Sequence, residues 1–173
     1  MKIALLSPGP TLARAPTAFP HHDLILSVNR AVNHARADWW CFGDAETFWR
    51  VRPDYCPNIW TDENAARRIA KSGQAERFAA HQHHLYESRF SAWPNHPNDW
   101  TRFSSCAALI LAASLGASVI ECFGVDMAGD VYHDGTNEGR LTEDRWAIER
   151  RIWREAVAVL NSCGICVARK VAL

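Results

Sequence analysis

The segment Ser-Pro-Gly-Pro-Thr at residues 7–11 combines residue types that suit contact with a phosphate group. Gly9 lets a backbone approach a ligand closely, and the Thr11 hydroxyl can donate a hydrogen bond to phosphate. The segment is not the GxGxxG motif of dinucleotide-binding proteins. Pro8 and Pro10 also lack N–H donors, which argues against a dinucleotide site. An ordinary tight turn is the alternative interpretation. The segment therefore supports a phosphate site only if other polar residues lie beside it.

Three such residues, Asn29, Asp44 and Asp126, follow apolar segments of strand length. An aspartate in that position can bind ribose hydroxyls, orient a base or form a turn of its own. If the segments are neighbouring parallel strands, these side chains lie at one edge of a sheet. The sequence therefore favours a ligand site there, with turn formation as the alternative for each aspartate taken alone.

Ser104 and Ser105 open a nearly all-apolar stretch that ends at Leu115 and is followed by Gly116. This pattern predicts a buried helix that begins with a serine cap and ends at a glycine. The first N–H groups of such a helix lack partners and the helix dipole favours negative charge, so the two serines mark a candidate anion site. Plain N-capping is the equally simple alternative.

The pair Tyr132-His133, followed by Asp134, lies in an irregular stretch. An imidazole with an ordinary pKa near 6.5 can act as a general base at neutral pH, and the neighbouring aspartate can tune it. A solvated surface histidine is the alternative interpretation.

Apolar runs alternate with stretches that favour helices. Predicted strands cover residues 2–7, 23–28, 38–42, 58–61, 119–123 and 165–171, and predicted helices cover residues 62–71, 104–115 and 143–162. Such alternation implies a mostly parallel sheet with helices on both faces and ligand sites beyond the carboxyl ends of the strands. We therefore expect one Rossmann-like α/β domain over residues 1–173.

Two long segments without periodicity, residues 86–100 and 124–139, are candidate lid or active-site loops. The histidine-rich segment at residues 81–84 lacks the carboxylate or cysteine partners of a zinc motif, so we expect a polar surface segment. Cys163 and Cys166 have redox-motif spacing but do not open a helix after a strand, which favours two core thiols. Trp93 and Trp100 can stack on a sugar or base, or can pack their loop down.

The chain has 173 residues with 19 basic and 19 acidic side chains, so no global charge favours nucleic acid or an anionic membrane. The first ten residues are too short in apolar length for a signal peptide, and the six cysteines suit a reducing compartment. A cytoplasmic location is expected, the expected partner is a small nucleotide-linked molecule, and a homo-oligomer is compatible with the sequence.

Taken in order, the segments LLSPGPTL, DLILSVNRAV, WWCFGDAETF, FSSCAALILAASLGASVIECFGVDM and VYHDG resemble the bacterial sialyltransferases of glycosyltransferase family 42. They also resemble 6-hydroxymethylpterin pyrophosphokinase-like domains and short phage-encoded proteins of unassigned function. The resemblance covers residues 2–135 in pieces, and its most specific part is the block from Ser104 to Asp126. Pro8 and the pair Gly43-Asp44 depart from the family, which has asparagines in the corresponding loops.

In those sialyltransferases a Rossmann-like domain binds a cytidine nucleotide sugar without a metal, and a histidine acts as base on the acceptor hydroxyl. The resemblance implies that the corresponding loops of this chain contact the nucleotide, that Asp126 occupies the GxD position and that His133 is the base. The nucleotide-contacting positions carried over are Gly9, Thr11, Asn29, Ser104 and Ser105.

We therefore expect a group transferase that uses a nucleotide-linked donor, glycosyltransferase-like in its transfer to an acceptor hydroxyl. His133 and Asp126 are its predicted catalytic residues. The predicted donor-binding residues are Gly9, Thr11, Asn29, Asp44, Ser104, Ser105 and Tyr132. One alternative is a non-catalytic nucleotide or small-molecule binding protein of phage accessory type. The other is a pyrophosphokinase-like enzyme in which Asp44 and Asp126 hold magnesium, and magnesium is expected only in that case.

Overall fold

The computed structural model describes residues 1–53, 55–86, 102–137, 139 and 142–170, and within them seven strands form one parallel sheet. The strands are β1 (Lys2–Leu6), β2 (Leu24–Val28), β3 (Trp39–Phe42), β4 (Asn58–Thr61), β5 (Gln82–Leu85), β6 (Val119–Phe123) and β7 (Cys166–Lys170). Their spatial order is β5-β4-β3-β2-β1-β6-β7, and every neighbouring pair is parallel. The order reverses direction at β1, which is the position where ligands bind in open α/β sheets.

The register of β1 brings three loops together at the carboxyl edge of the sheet. Leu6, the last residue of β1, lies opposite Ser27 of β2 and Phe123 of β6. The pairing continues beyond the strand, since the N–H of Ser7 donates to the carbonyl of Phe123 at 2.8 Å. The loops that follow β1, β2 and β6 are therefore adjacent.

Helices cover both faces of the sheet. They are α1 (Ala45–Arg50), α2 (Glu63–Ala70), α3 (Ala75–Ala79), α4 (Ser104–Ser114) and α5 (Glu143–Ser162), with 3-10 helices at Pro10–Arg14 and Asn29–Asn33. Successive strand residues point to opposite faces, so Ile3 and Leu5 of β1 pack with α4 and α5, whereas Ala4 and Leu6 pack with the first 3-10 helix. The aromatic residues Trp40 and Phe42 on that second face pack with α1 to α3.

Helix α4 lies against the centre of the sheet and is buried on all sides. Nine of its eleven residues are buried, so it has no solvent-facing stripe and packs against its neighbours all round. The helix ends before Gly116, whose φ of +90° is the left-handed conformation that favours glycine at this position. Because α4 is held so firmly, its first residues are fixed at the carboxyl edge of the sheet.

The structure confirms the predicted Rossmann-like α/β fold with a parallel sheet and helices on both faces. The segment at residues 81–84 is polar and partly exposed, as predicted, but it also contributes to β5, the edge strand beside β4, which the sequence did not predict. His83 and His84 of β5 lie against the aromatic side chains of Phe78 and Trp39. Since an edge strand pairs on one side only, its exposed residues lack the apolar pattern by which the other strands were recognised.

Two further expectations need correction. The predicted serine cap of α4 is wrong, because the N-cap position is Phe103 and no side chain caps the helix. Cys163 and Cys166 are exposed and so are not core thiols, whereas the other four cysteines are buried. Tyr86 is buried, and the rest of the candidate loop at residues 86–100, with Trp93 and Trp100, lies outside the described residues. No described helix has the length and apolar character needed to cross a membrane.

Candidate functional site

A cavity of about 280 Å³ opens at the carboxyl edge of the sheet, where the loops after β1, β2, β3 and β6 meet the starts of α4 and α5. Seven of the nine predicted site residues line it: Gly9, Asn29, Asp44, Ser104, Ser105, Asp126 and Tyr132. The other two, Thr11 and His133, are not part of the lining but contact residues that are. Predicted residues from five separate chain segments therefore surround one cavity.

Gly9 is a point of close approach between the loops after β1 and β6. Its N–H donates to the carbonyl of Gly124 at 2.9 Å. A Cβ at Gly9 would lie 2.4 Å from that carbonyl oxygen and 2.5 Å from Oδ2 of Asp126. Gly124 is equally crowded and has a φ of +68°, so both positions require glycine. The close approach that Gly9 permits is thus an approach of one loop to another.

Asp126 is fixed by Thr11 through both of its carboxylate oxygens. Oδ2 accepts the backbone N–H of Thr11 at 2.7 Å, and Oδ1 accepts the Thr11 hydroxyl at 2.6 Å. The only proton of that hydroxyl is therefore used within the protein. Carboxylate oxygens have further lone pairs, so Asp126 keeps the capacity to accept a ligand hydroxyl from the cavity side.

Asn29 stands directly after β2 in a left-handed conformation, with a φ of +49°, which asparagine tolerates better than most residues. Its carbonyl accepts the indole N–H of Trp40 at 2.8 Å, which helps to hold the backbone in that conformation. The Asn29 side chain is half-buried, lines the cavity and makes no hydrogen bond to a described residue. Its amide is available to a ligand as donor and acceptor.

The two serines at the start of α4 connect it to neighbouring elements. Oγ of Ser104 accepts the N–H of Gly43 at 3.2 Å, which ties α4 to the loop after β3. The Ser105 hydroxyl donates to Oε1 of Glu149 on α5 at 2.5 Å. Asp44, beside Gly43, also lines the cavity and occupies the N-cap position of α1, although its side chain does not cap that helix.

Glu149 is a cavity residue that the sequence did not single out. It is 7% exposed, and burial raises the pKa of its carboxyl above the ordinary value, against the opposing effects of the Ser105 hydrogen bond and the charge of Arg145. A signal was present in the sequence, because Glu149 extends by one turn the buried stripe of α5 formed by Ile152, Trp153, Ala156 and Leu160. A charged residue within a buried stripe indicates a polar partner or a site.

His133 is held in the loop after β6 by the loop after β1. Its N–H donates to the carbonyl of Pro8 at 2.9 Å, and its Nδ1 lies 3.4 Å from the same oxygen. Burial lowers the pKa of His133, with the charge of Asp134 opposing, so the neutral imidazole is favoured. A neutral imidazole has the protonation state of a base, but the ring lies beside the cavity and outside its lining.

Arg30 fastens the same loop to the second 3-10 helix. Its guanidinium pairs with Asp134 at 3.4 Å and lies 5.7 Å from the centre of the Tyr132 ring. The segment that carries Tyr132 and His133 is thus docked against the loops after both β1 and β2. This docking places Tyr132 in the cavity wall.

Among the described residues, the basic side chains of the lining are Arg102 and Arg145. Their guanidinium carbons lie 5.8 Å and 5.9 Å from the centre of the Phe103 ring. Both also line a second, adjoining cavity of about 440 Å³, which shares Asp44 and Phe103 with the first and adds Ile148. The two cavities therefore adjoin along these shared side chains.

Acidic side chains outnumber basic ones in the described lining of the first cavity. The acidic residues there are Asp44, Asp62, Asp126 and Glu149. Within the described residues no group of three His, Cys, Asp or Glu side chains is arranged to hold a metal ion. The described part of the lining therefore combines carboxylates and hydroxyl groups with the guanidinium groups of Arg102 and Arg145 and the amide of Asn29.

No family model matches the chain, and no curated protein matches it in sequence. Solved structures do match it. The sialyltransferase CST-II in complex with a trisaccharide acceptor and CMP is 14% identical, with a TM-score of 0.66, over 99% of this chain and 81% of that one. The sialyltransferase CstII from Campylobacter jejuni with the substrate analogue CMP-3FNeuAc is 13% identical, with a TM-score of 0.66, over 98% and 81%. At this level of identity the likeness shows that the chain has the fold of these sialyltransferases.

Proposed function

We propose that this protein is a group transferase that binds a nucleotide-linked donor, a nucleotide sugar, and transfers the sugar to an acceptor hydroxyl. The observation that carries the proposal is the cavity at the point where the strand order reverses, lined by polar residues of five chain segments. The shared fold supports it, because CST-II has been solved with CMP and a trisaccharide acceptor.

The lining suggests a role for each group. The first N–H groups of α4 at Ser104 are assigned to the phosphate, with Arg102 and Arg145 as the basic groups that balance its charge. The loop at Gly9 forms a wall of the donor site, because its N–H groups are already bonded within the protein. Asn29 and Asp126 are assigned to sugar or nucleoside hydroxyls, to which both can offer acceptor oxygens. Asp44 and Tyr132 complete the donor site.

His133 is the proposed base. The acceptor oxygen forms a bond to the anomeric carbon, the bond from that carbon to the phosphate oxygen breaks, and the nucleotide leaves with the electron pair. The hydroxyl proton passes to the imidazole, whose pKa burial keeps below its ordinary value. Most of the rate enhancement comes from positioning and from charge stabilisation of the leaving phosphate.

A thermal-shift screen of nucleotides and nucleotide sugars tests the binding half of the proposal, because a ligand that binds the folded state raises Tm. The screen is run with and without magnesium on the wild type, Asn29→Ala and His133→Ala. We expect stabilisation by a cytidine or uridine sugar that Asn29→Ala weakens and His133→Ala retains. No shift with any nucleotide would refute the proposal, and a shift that requires magnesium would favour the pyrophosphokinase-like alternative.

One observation favours a second candidate, a binding protein that holds a nucleotide without turnover. The His133 ring is outside the described lining of the cavity. Release of free nucleotide from the stabilising donor in the presence of an acceptor distinguishes the two. Turnover by the wild type that is lost in His133→Ala supports the transferase, and tight binding without turnover supports the binding protein.

A further inference from the structure

The Ser105 hydroxyl can only accept hydrogen bonds from the cavity. A hydroxyl has one proton, and Ser105 donates that proton to Oε1 of Glu149 at 2.5 Å. Its remaining lone pairs are acceptors. An anion needs donors, so this hydroxyl is unsuited to a phosphate although it stands at the start of a helix.

Glu149 presents a second acceptor at the same place. Its carboxyl lines the cavity, and no described residue donates to Oε2. No described basic side chain forms an ion pair with it, and Arg145, whose charge acts on it, lies against the rings of Phe103 and Trp146. The carboxyl of Glu149 thus meets the cavity without a counter-ion in contact among the described residues, and the Ser105 hydrogen bond and the charge of Arg145 favour its ionised form against the effect of burial.

A second anion beside Glu149 would be repelled. Two like charges close together in a site shielded from water disfavour each other strongly, and a phosphate or carboxylate of a ligand is such a charge. Hydroxyl and amino groups have the opposite character, because each can donate a hydrogen bond to the carboxylate. The chemistry of the pair selects such donors.

We propose that the Ser105–Glu149 pair receives hydroxyl or amino groups of the ligand, from its sugar or its nucleoside, and keeps phosphate and other anionic groups away from this part of the cavity. The proposal rests on the nucleotide-linked ligand inferred above and assigns different parts of that ligand to Ser104 and to Ser105. The phosphate lies on the side of Ser104, and an uncharged polar portion lies against Ser105. A donor with a neutral sugar or nucleoside portion at this position is therefore preferred.

The test compares two ligands on three proteins. The first ligand is the nucleotide sugar that most stabilises the wild type. The second is inorganic pyrophosphate, which has the negative charge of a phosphate ligand but no sugar or nucleoside hydroxyl groups. The proteins are the wild type, Glu149→Gln and the control Glu155→Gln, which changes an exposed carboxylate of the same helix that pairs with Arg151. Glutamine has nearly the shape of glutamate and can still accept the hydrogen bond from Ser105. It replaces the charged carboxylate at the cavity with a neutral amide.

We expect Glu149→Gln to weaken the binding of the nucleotide sugar about 10-fold or more, which is the usual effect of losing a hydrogen bond to a charged group. Pyrophosphate binding should not weaken, and Glu155→Gln should match the wild type for both ligands. Equal affinity of the wild type and Glu149→Gln for the nucleotide sugar overturns the proposal, as does an equal loss for pyrophosphate. Ser105→Ala, which removes the second acceptor, gives the same comparison if Glu149→Gln fails to fold.

Failure of the proposed function has a different signature. If no nucleotide or nucleotide sugar binds the wild type at any concentration, the transferase proposal and this inference fall together. If the wild type binds and Glu149→Gln binds equally well, only the assignment of the Ser105–Glu149 pair is overturned.

Discussion

Thr11 and Asp126, 115 residues apart in the chain, are joined by two hydrogen bonds of 2.7 Å and 2.6 Å to one carboxylate. The pair connects the first 3-10 helix to the loop after β6 beneath the candidate site. Asp126 therefore has a structural task, whether or not a ligand also contacts it. The same residue was singled out from the sequence for its place in a GxD motif.

The structural task of Asp126 predicts a loss of stability in ligand-free protein. Asp126→Ala removes both hydrogen bonds to a charged group, and we expect the free energy of unfolding to fall by about 2–4 kcal/mol. Thr11→Val removes only the hydroxyl bond and should cost about half as much. Urea denaturation without ligand measures both. The exposed Thr17→Val is the control, and an unchanged midpoint for Asp126→Ala would show that the contact contributes nothing to the fold.

Gly9 should not tolerate a side chain, because an added Cβ would meet backbone, which cannot rotate away. The nearest atoms are the carbonyl oxygen of Gly124 at 2.4 Å and Oδ2 of Asp126 at 2.5 Å. We expect Gly9→Ala to lower the free energy of unfolding by about 3 kcal/mol or more. Gly73→Ala is the matched control, since nothing lies within 4 Å of its added Cβ. Equal stability of the two variants would contradict the close approach of the loops.

The carboxylate of Glu121 should make the fold sensitive to acid. Burial alone would raise its pKa, but hydrogen bonds from Lys170, Lys2 and His22 outweigh that effect and lower it from 4.5 to about 2. The unfolded chain therefore takes up this proton first, so the stability that Glu121 contributes is present above pH 4.5 and is lost as the pH falls towards 2. Glu121→Gln should show a flatter loss over that interval.

Urea denaturation midpoints of the wild type and Glu121→Gln, measured at several pH values between about 2 and 5, compare how the two proteins lose stability in acid. The exposed Glu63→Gln serves as control for the general effect of removing one carboxylate. If the wild type and Glu121→Gln lose stability in parallel as the pH falls, the low pKa of Glu121 is wrong.

The six cysteines should divide into two reactive and four unreactive thiols. Cys163 and Cys166 are exposed, whereas the other four are buried. Burial raises the pKa of Cys41 and of Cys56 to about 12, so neither forms a thiolate at neutral pH. A chromogenic disulfide reagent should titrate two thiols in the native protein and all six in urea. Loss of the native signal in Cys163→Ser/Cys166→Ser would confirm the assignment, and more than two native equivalents would refute it.

The sequence predicted the elements with strong local patterns and missed those without them. The segments that became β1 and β6 are mostly apolar and largely buried, and α4 is followed by a glycine, so local composition was sufficient. Strand β5 was missed because three of its four residues are polar, a composition that suits a strand at the edge of the described sheet.

The sequence predicted where the candidate site lies in the fold better than it predicted the contacts between its residues. That polar residues after neighbouring strands meet at one edge follows from parallel pairing, and Asn29 and Asp44 illustrate it. Contacts between side chains that are far apart in the sequence cannot be predicted from such a pattern. The contact of Ser105 with Glu149 depends on how α5 packs against α4, and that of Thr11 with Asp126 depends on the register of β1 and β6.

The position of β1 between β2 and β6 also has a consequence for the order of events during synthesis. One neighbour of β1 begins at Leu24, but the other begins only at Val119. The nascent chain must keep one edge of its first strand unpaired until most of the protein has left the ribosome, and contacts of such long sequence separation form slowly. The cavity, which needs both neighbours, is therefore among the last parts of the molecule to be assembled.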